Sequence, residues 1–442
     1  MHKNLAPRLI PALIAIAFSG GASASGFQLL EQNASGLGNS YAGSAAVAEN
    51  ASTIFYNPAG MTQLKGLQVS GGLTAIHTSY KFSDQGSSVG VLQNSGNGGD
   101  GGGWGYLPNA YISWEATKDL YLGLGIGAPF GLKTEYNNPW QGGAQSLKFD
   151  IKTVNINPSI AWRANEFVSV GAGINYQKLT AEYERQVAVA STSGLAVATM
   201  LSTTKATLNL DDDAWGWNVG ALFSINPTTK IGVSYRSAVK YDLTGDFKFD
   251  GTLAQSSNPL LGGATKDRSA KATLKVPDTW ILSATHALND RVELLGDISW
   301  TGWSSIPKVD VYNAQTTGAG AVSGRIAQTL DTEFRDTWRV AAGANYRYTE
   351  ALKFKFGIAY DQTPVKGAST RLVSLPDNNR IWLSFGTQWK PTKDSAVDLG
   401  IAHLFVKDSK IDNDQSAAGR GRVTGTFADS AWIFGLQYSA AF

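Results

Sequence analysis

From Trp432 to Phe442 every second residue is apolar. Trp432, Phe434, Leu436, Tyr438, Ala440 and Phe442 share one face; Gly435, Gln437 and Ser439 occupy the other, with Ile433 and Ala441. A period of two marks a strand with one oily face. Soluble chains tend to fray at their ends. A terminal strand closing on an aromatic residue has instead the form of the last strand of an outer-membrane barrel.

The alternation recurs along most of the chain. Leu352, Phe354, Phe356, Ile358 and Tyr360 alternate with Lys353, Lys355, Gly357 and Ala359. Trp215, Trp217, Val219, Ala221, Phe223 and Ile225 oppose Gly216, Asn218, Gly220 and Ser224. A soluble sandwich alternates too, so the connections carry more weight. Tight ones at 117–119, 164–165, 226–229, 288–289, 349–350 and 391–394 alternate with long polar ones. The long ones lie near 84–102, 131–145, 187–205, 250–265, 310–329, 366–375 and 409–421. Short periplasmic turns and long external loops are the asymmetry of a membrane-threaded barrel. The fold class read from this pattern is all-β: a fourteen-stranded antiparallel transmembrane β-barrel in a bacterial outer membrane. Its strands are expected near 66–83, 103–117, 118–131, 146–163, 165–187, 205–226, 228–249, 266–287, 289–310, 330–348, 351–366, 373–390, 395–409 and 422–442.

Three places break the pattern. Leu147, Phe149 and Ile151 are out of phase with Val154 and Ile156, which predicts a bulge near Thr153. Pro277 falls inside an expected strand and demands a local defect. Residues 121–131 carry Gly123, Gly125, Gly127, Gly131 and Pro129, a composition that permits a kink.

Lys3 and Arg8 precede an apolar stretch from about Leu9 to Phe18, and Ala22-Ser23-Ala24 forms an A-x-A cleavage pattern. Residues 1–24 are therefore expected to be a signal peptide. Elsewhere no continuous apolar run reaches the roughly 20 residues of a spanning helix, which excludes a helical membrane protein. The absence of cysteine excludes a disulfide scaffold and thiolate chemistry. A net charge of +2 points to neither a nucleic acid partner nor a polybasic membrane patch.

Residues 25–65 lack strand periodicity, and 66–442 make the barrel. Short helices are expected across 39–49 and just after Pro58. Small residues at 34–53 suit packing inside the lumen, where backbone shielded from lipid is tolerated. On this reading the segment is a hatch. The alternative is a periplasmic tail.

Several short motifs occur in order along the chain: Gly26-Phe27-Gln28-Leu29, Ala34-Ser35-Gly36-Leu37-Gly38, Asn57-Pro58-Ala59, Leu107-Pro108-Asn109, Val276-Pro277-Asp278-Thr279-Trp280, Leu375-Pro376-Asp377 before Arg380, and Lys393-Asp394. In these the chain resembles the FadL/TodX family of outer-membrane long-chain fatty acid and hydrocarbon transporters. The resemblance implies an N-terminal hatch, capture at external loops, an apolar luminal site and lateral release where the third strand kinks inward. It implies that Phe27 lines or closes the binding site and that Asn57-Pro58-Ala59 lies beside the kink formed by Gly123, Gly125, Gly127 and Pro129. A luminal cation for a carboxylate headgroup is also implied. Arg185 is the nearest candidate, its phase opposing Val168, Val170, Ala172 and Ile174; Lys366 is the second. For both, a solvated charge near a loop is the plainer reading.

Nothing in the chain points to catalysis. His77, His286 and His403 are isolated. Gly86-Ser87-Ser88-Val89-Gly90 fits G-x-S-x-G but lies in a polar loop without the strand-turn-helix context of a nucleophile elbow. Asp211-Asp212-Asp213 reads as solvated carboxylate, so neither metal nor cofactor is expected. The expected partners are a hydrophobic small-molecule substrate, outer-membrane lipid and lipopolysaccharide, with the protein a monomer. The alternatives are uptake of uncharged aromatic or aliphatic hydrocarbons and, outside the family, a general diffusion porin.

Overall fold

A computed structural model describes residues 26–257, 265–314 and 324–442. The expected signal peptide lies outside the described residues. Twenty strand segments form one antiparallel sheet that closes on itself. Eight are unbroken barrel strands: β1 (Leu67–Asp84), β2 (Trp104–Glu115), β5 (Lys148–Arg163), β6 (Val168–Gln186), β7 (Thr204–Asn226), β16 (Leu352–Asp361), β17 (Arg380–Thr392) and β20 (Arg422–Ala441). Six more are interrupted and count as pairs: β3 (Leu120–Gly127) with β4 (Gly131–Glu135), β8 (Thr229–Arg236) with β9 (Val239–Gly251), and β10 (Arg268–Val276) with β11 (Thr279–Ala287). The other three are β12 (Val292–Thr301) with β13 (Lys308–Asn313), β14 (Ile326–Asp331) with β15 (Thr337–Arg347), and β18 (Ser395–Val406) with β19 (Ser409–Asp414). The barrel thus has fourteen strands.

Closure joins the two ends of the barrel sequence. β1 pairs with β20 in unbroken register from Gln68↔Ala441 to Asp84↔Gly425. Lipid offers no hydrogen bonds, so this pairing is what makes a sheet viable there. The outer face carries large apolar side chains such as Trp162, Ile174, Trp217, Leu282, Leu383 and Leu436, all exposed.

The irregular places resolve differently from one another. Pro277 and Asp278 separate β10 from β11, so the defect is a break in the eighth strand. The bulge expected at Thr153 is not on that strand. β5 keeps one register with β6 through Thr153↔Leu179. Its phase is constant too: Phe149, Ile151, Thr153 and Asn155 all face the lumen. The apparent slip in the sequence arises because the lumen is apolar at Phe149 and polar at Asn155. The extra residue sits opposite, in the third strand, where Gly127 pairs with Asn155 but Gly131 with Lys152. The twelfth strand also differs, beginning at Arg380 rather than near 373. Val373 and Leu375 are instead buried inside.

Residues 26–65 fold inside the barrel. A 3₁₀ turn spans Leu37–Asn39, a single helical turn Thr53–Tyr56, and a further 3₁₀ helix Pro58–Gln63. The helix expected across 39–49 is absent. Ser40, Tyr41, Gly43 and Ala48 have positive φ, and side chains take up the backbone groups: Ser283 Oγ accepts from Ala45 N at 3.0 Å, and Asn57 Nδ2 donates to Ala45 O at 2.7 Å.

Glycines on the wall let this segment fit. A Cβ on Gly386 would stand 2.8 Å from the Cα of Gly38, one on Gly435 2.7 Å from Ala34 Cβ, and one on Gly171 2.5 Å from Ala59 N. Gly400 against Leu37 and Gly123 against Ile54 repeat the arrangement, with would-be contacts of 2.9 and 2.7 Å. Real Cβ atoms do not sit that close. The hatch therefore meets the wall backbone to backbone at Gly386 and Gly171, seats its side chains on bare wall backbone at Gly435, Gly400 and Gly123, and any added side chain there forces separation. Such overpacking costs about 1–3 kcal/mol. Gly386→Val is expected to leave the barrel inserted and heat-modifiable while raising single-channel conductance in a planar bilayer; wild-type conductance would show that the hatch does not depend on this contact.

Candidate functional site

The third strand carries the first element of the site. β3 pairs with β2 only from Ala110↔Ile126 to Glu115↔Tyr121. Beyond Gly127 the chain turns away, and β4 pairs only with β5. The outer half of β2, residues 104–109, pairs only with β1. The result is a window in the barrel wall, bounded above by Glu135 N donating to Gly101 O at 2.9 Å. Leu107-Pro108-Asn109 forms its rim. Pro108 brings no N–H to an edge that lacks a neighbouring strand. Gly123, Gly125 and Gly127 are not the bend itself. They lie in the paired part, and their missing side chains admit Ile54, Tyr111 and Gln32. The break is at Ala128-Pro129-Phe130.

The strap at residues 27–32 plugs the window from within. Leu29 N donates to Pro129 O and Gly131 N to Phe27 O, both at 2.8 Å, so residues 27–29 add a short strand to the kink. Gln32 clamps the peptide groups of Ala128: its Nε2 donates to Ala128 O at 2.7 Å and its Oε1 accepts from Ala128 N at 3.0 Å. Thr153 Oγ1 accepts from Phe130 N at 2.9 Å. The peptide groups of Ala128 and Phe130, the carbonyl of Pro129 and the N–H of Gly131 thus find partners, as burial requires.

Behind the strap lies an apolar cavity of about 80 Å³. Phe27 forms one wall, its ring edge-on to Trp303 at 4.9 Å and 5.8 Å from Phe130. Ile151, Leu208, Leu243, Leu274, Val311, Leu330, Phe334 and Leu375 form much of the rest. An apolar cavity of roughly 150 Å³ takes benzene, so the closed pocket must widen to admit a larger guest. Phe27 stands between it and the window.

Arg185 lies two residues beyond the cavity residue Tyr183 on the same luminal face of β6. It is buried, and its Nε donates to Gln328 Oε1 at 3.0 Å and its Nη1 to the carbonyls of Gln186 and Val187 at 3.0 and 2.9 Å. Among the described residues it forms no ion pair. Its charged neighbours are Arg268 and Arg420, which repel it. Arg268 stacks on Phe249, 4.8 Å from the ring centre. Lys366 stands apart, exposed and 3.9 Å from Glu333.

Asn57-Pro58-Ala59 is not beside the kink. Asn57 Nδ2 donates to Ala221 O of β7 at 2.9 Å, and Ala59 abuts Gly171 of β6. The motif therefore sits two and three strands further round the wall. Asn57 Oδ1 also caps the following turn, accepting from Ala59 N at 3.1 Å. On the far side, hatch Glu49 meets Lys355 at 2.5 Å and Lys353 at 3.1 Å, and Lys355 also bonds Asp398 at 3.0 Å. Sequence reading missed Gln32, Arg268, Arg420 and this ion network. Only the luminal phase of Lys353 and Lys355 signalled it.

Burial works against the Glu49 carboxylate, but Lys353 and Lys355 outweigh it and hold it well below the carboxylate range. A depressed folded value means that the pairing contributes fully above the ordinary carboxylate value and is lost as pH falls through the lowered one. Lys355→Met would leave the buried Asp398 without its cation and Glu49 with Lys353 alone, a loss of about 3–5 kcal/mol. Hatch release at lower denaturant concentration, followed by fluorescence, is the expected outcome at neutral pH; an unchanged midpoint would show that the network does not hold the hatch.

The model of the family described as outer membrane protein transport protein (OMPP1/FadL/TodX) matches residues 15–442. The chain is 30% identical to the long-chain fatty acid transport protein of Salmonella typhi over the full length of both. It is 30% identical to outer membrane protein P1 of Haemophilus influenzae over 96% of each. The structure of a Pseudomonas aeruginosa FadL homologue superposes with a TM-score of 0.84 at 21% identity, covering 95% of this chain and 100% of that one. The Ralstonia pickettii toluene transporter TbuX gives 0.67 at 17% identity, with 94% and 100% covered. With a closed barrel, an internal N-terminal segment and this match along the sequence, the chain belongs to the FadL/TodX family and is a passive outer-membrane channel for hydrophobic small molecules.

Proposed function

We propose that the cargo is a long-chain fatty acid, held by its tail in the apolar cavity and by its carboxylate at Arg185. The observation that carries this reading is a buried guanidinium with no acidic partner at the outer end of an apolar cavity. A buried cation flanked by two more favours an anion. Each methylene buried contributes about 0.8 kcal/mol, so the tail supplies most of the affinity and the headgroup the orientation. Lipid-facing release follows when the strap at 27–32 withdraws, Phe27 leaves the cavity wall and the window at Ala128-Pro129-Phe130 opens sideways. Asn57, Pro58 and Ala59 serve as the fixed end about which the hatch rearranges, and the protein works as a monomer. Lys366 is the weaker headgroup candidate, since Glu333 already faces it.

Uptake of uncharged hydrocarbons is the second reading. The near-absence of polar groups from the cavity wall favours it. Arg185→Ala separates the two, because a hydrogen bond to a charged group contributes about 1.5–3 kcal/mol. Titration with a fatty acid and with an alkane of equal length is expected to show at least about a tenfold loss for the acid alone. Equal losses would remove Arg185 as the anchor; no binding of the acid to the unaltered protein would favour hydrocarbon uptake.

A further inference from the structure

Glu31 lies in the strap between the two contacts that hold the window shut, one residue before the Gln32 clamp. Its side chain is wholly buried, and neither carboxyl oxygen has a hydrogen-bond partner among the described residues. The charged groups facing it come from three wall strands: Arg339 of β15, Asp361 of β16 and Arg380 of β17. Arg380 is already paired with Asp377. From the hatch itself Tyr41 and Tyr56 face it. From β2, Tyr111 donates through its hydroxyl to Gln32 O at 2.7 Å.

The cluster is unbalanced. Five carboxyls, Glu31, Asp297, Asp361, Asp377 and Asp429, share three guanidiniums, Arg339, Arg371 and Arg380. A buried carboxylate without a partner is costly, so surplus acid keeps its proton. Glu31 and Asp429 are the members with no hydrogen-bonded carboxyl oxygen among the described residues, and of the two Glu31 is on the strap. Burial pushes its carboxyl up to about 7, against the pull of Arg339 and Arg380.

We infer that Glu31 and Gln32 form the release latch of the window: Gln32 holds the kink at Ala128, and the proton on Glu31 decides whether the strap stays. With the carboxyl neutral, the strap packs into the lumen at no charge cost. Loss of the proton adds an anion to a cluster already richer in carboxyls than in guanidiniums, and favours withdrawal toward solvent. The sign follows from linkage: a folded value raised above the ordinary one means that closure weakens as pH rises between the two. Glu31 is a positioning residue, acting on the gate through the strap, and the inference does not depend on which cargo is carried.

The chain has no cysteine, so a nitroxide on Leu30→Cys reports the strap alone. In the full mature chain in nanodiscs without ligand, the ratio of mobile to immobile label is expected to rise about tenfold from about pH 6 to 8. Glu31→Gln should be immobile and flat across that range. Asp361→Asn, which removes the carboxylate that faces Glu31 from β16, should shrink the rise. A flat profile in the Leu30→Cys protein, an undiminished rise in Glu31→Gln, or an undiminished rise in Asp361→Asn would each overturn the latch.

Discussion

In hydrocarbon every backbone N–H and C=O needs a partner inside the protein. That single requirement explains both the closed wall and the form of the opening at its third strand. The wall is satisfied by continuous pairing from β1 round to β20. At Ala128-Pro129-Phe130 the third strand leaves its neighbour β2, and a row of polar groups loses its ladder. Pro129 removes one of them. The strap takes up Ala128, Pro129 O and Gly131 N through Phe27 O, Leu29 N and the amide of Gln32, and Thr153 of β5 takes up Phe130. On the proposed route of release, opening must break these same hydrogen bonds, and cargo or water must replace them.

The remainder of the hatch is fixed to the wall by two complementary means. Glycines bring backbones together where no side chain fits, and the Glu49–Lys355–Asp398 network anchors one side in a buried setting. Removing one partner of such a network leaves a buried charge exposed to its own desolvation cost. The strap is held by hydrogen bonds: its short backbone pairing with the kink, the Gln32 amide on Ala128, Gly26 N on Asp377, and Gln28 with Thr279 and Thr301.

Much of the barrel was legible in the sequence because its rule is local. A residue faces lipid or lumen by parity, and the turns alternate in length, so fourteen strands and their rough limits follow from pattern alone. Parity fails where the lumen changes character. Phe149 and Ile151 face an apolar cavity, and they imitate a phase slip that the backbone does not have. The kinked strand was legible from its glycines and Pro129. The roles were divided differently from expectation, with Pro129 in the break and the glycines making room for Ile54, Met61 and Gln32. Partners across the lumen were not legible. Gln32 with Ala128, Glu49 with Lys355, and Arg185 with Arg268 and Arg420 are each separated by tens to hundreds of residues, and no local signal links them. The placement of Asn57-Pro58-Ala59 against β6 and β7 is of the same kind, since it depends on how the hatch is turned inside the barrel.

The central claim is that strap and kink must separate for cargo to leave. Gln28 and Phe130 are opposed in the short strand pairing, in a position that does not share hydrogen bonds. Such pairs place their Cα atoms about 4.5 Å apart, within reach of a disulfide. A Gln28→Cys, Phe130→Cys protein, in a chain with no other cysteine, allows the contact to be locked and unlocked. Uptake of labelled fatty acid by cells carrying it is the measurement. Uptake is expected near background when oxidised and restored on reduction, with each single variant active throughout. Undiminished uptake by the fully cross-linked protein would contradict it, since cargo would then be leaving by a route that the strap does not close.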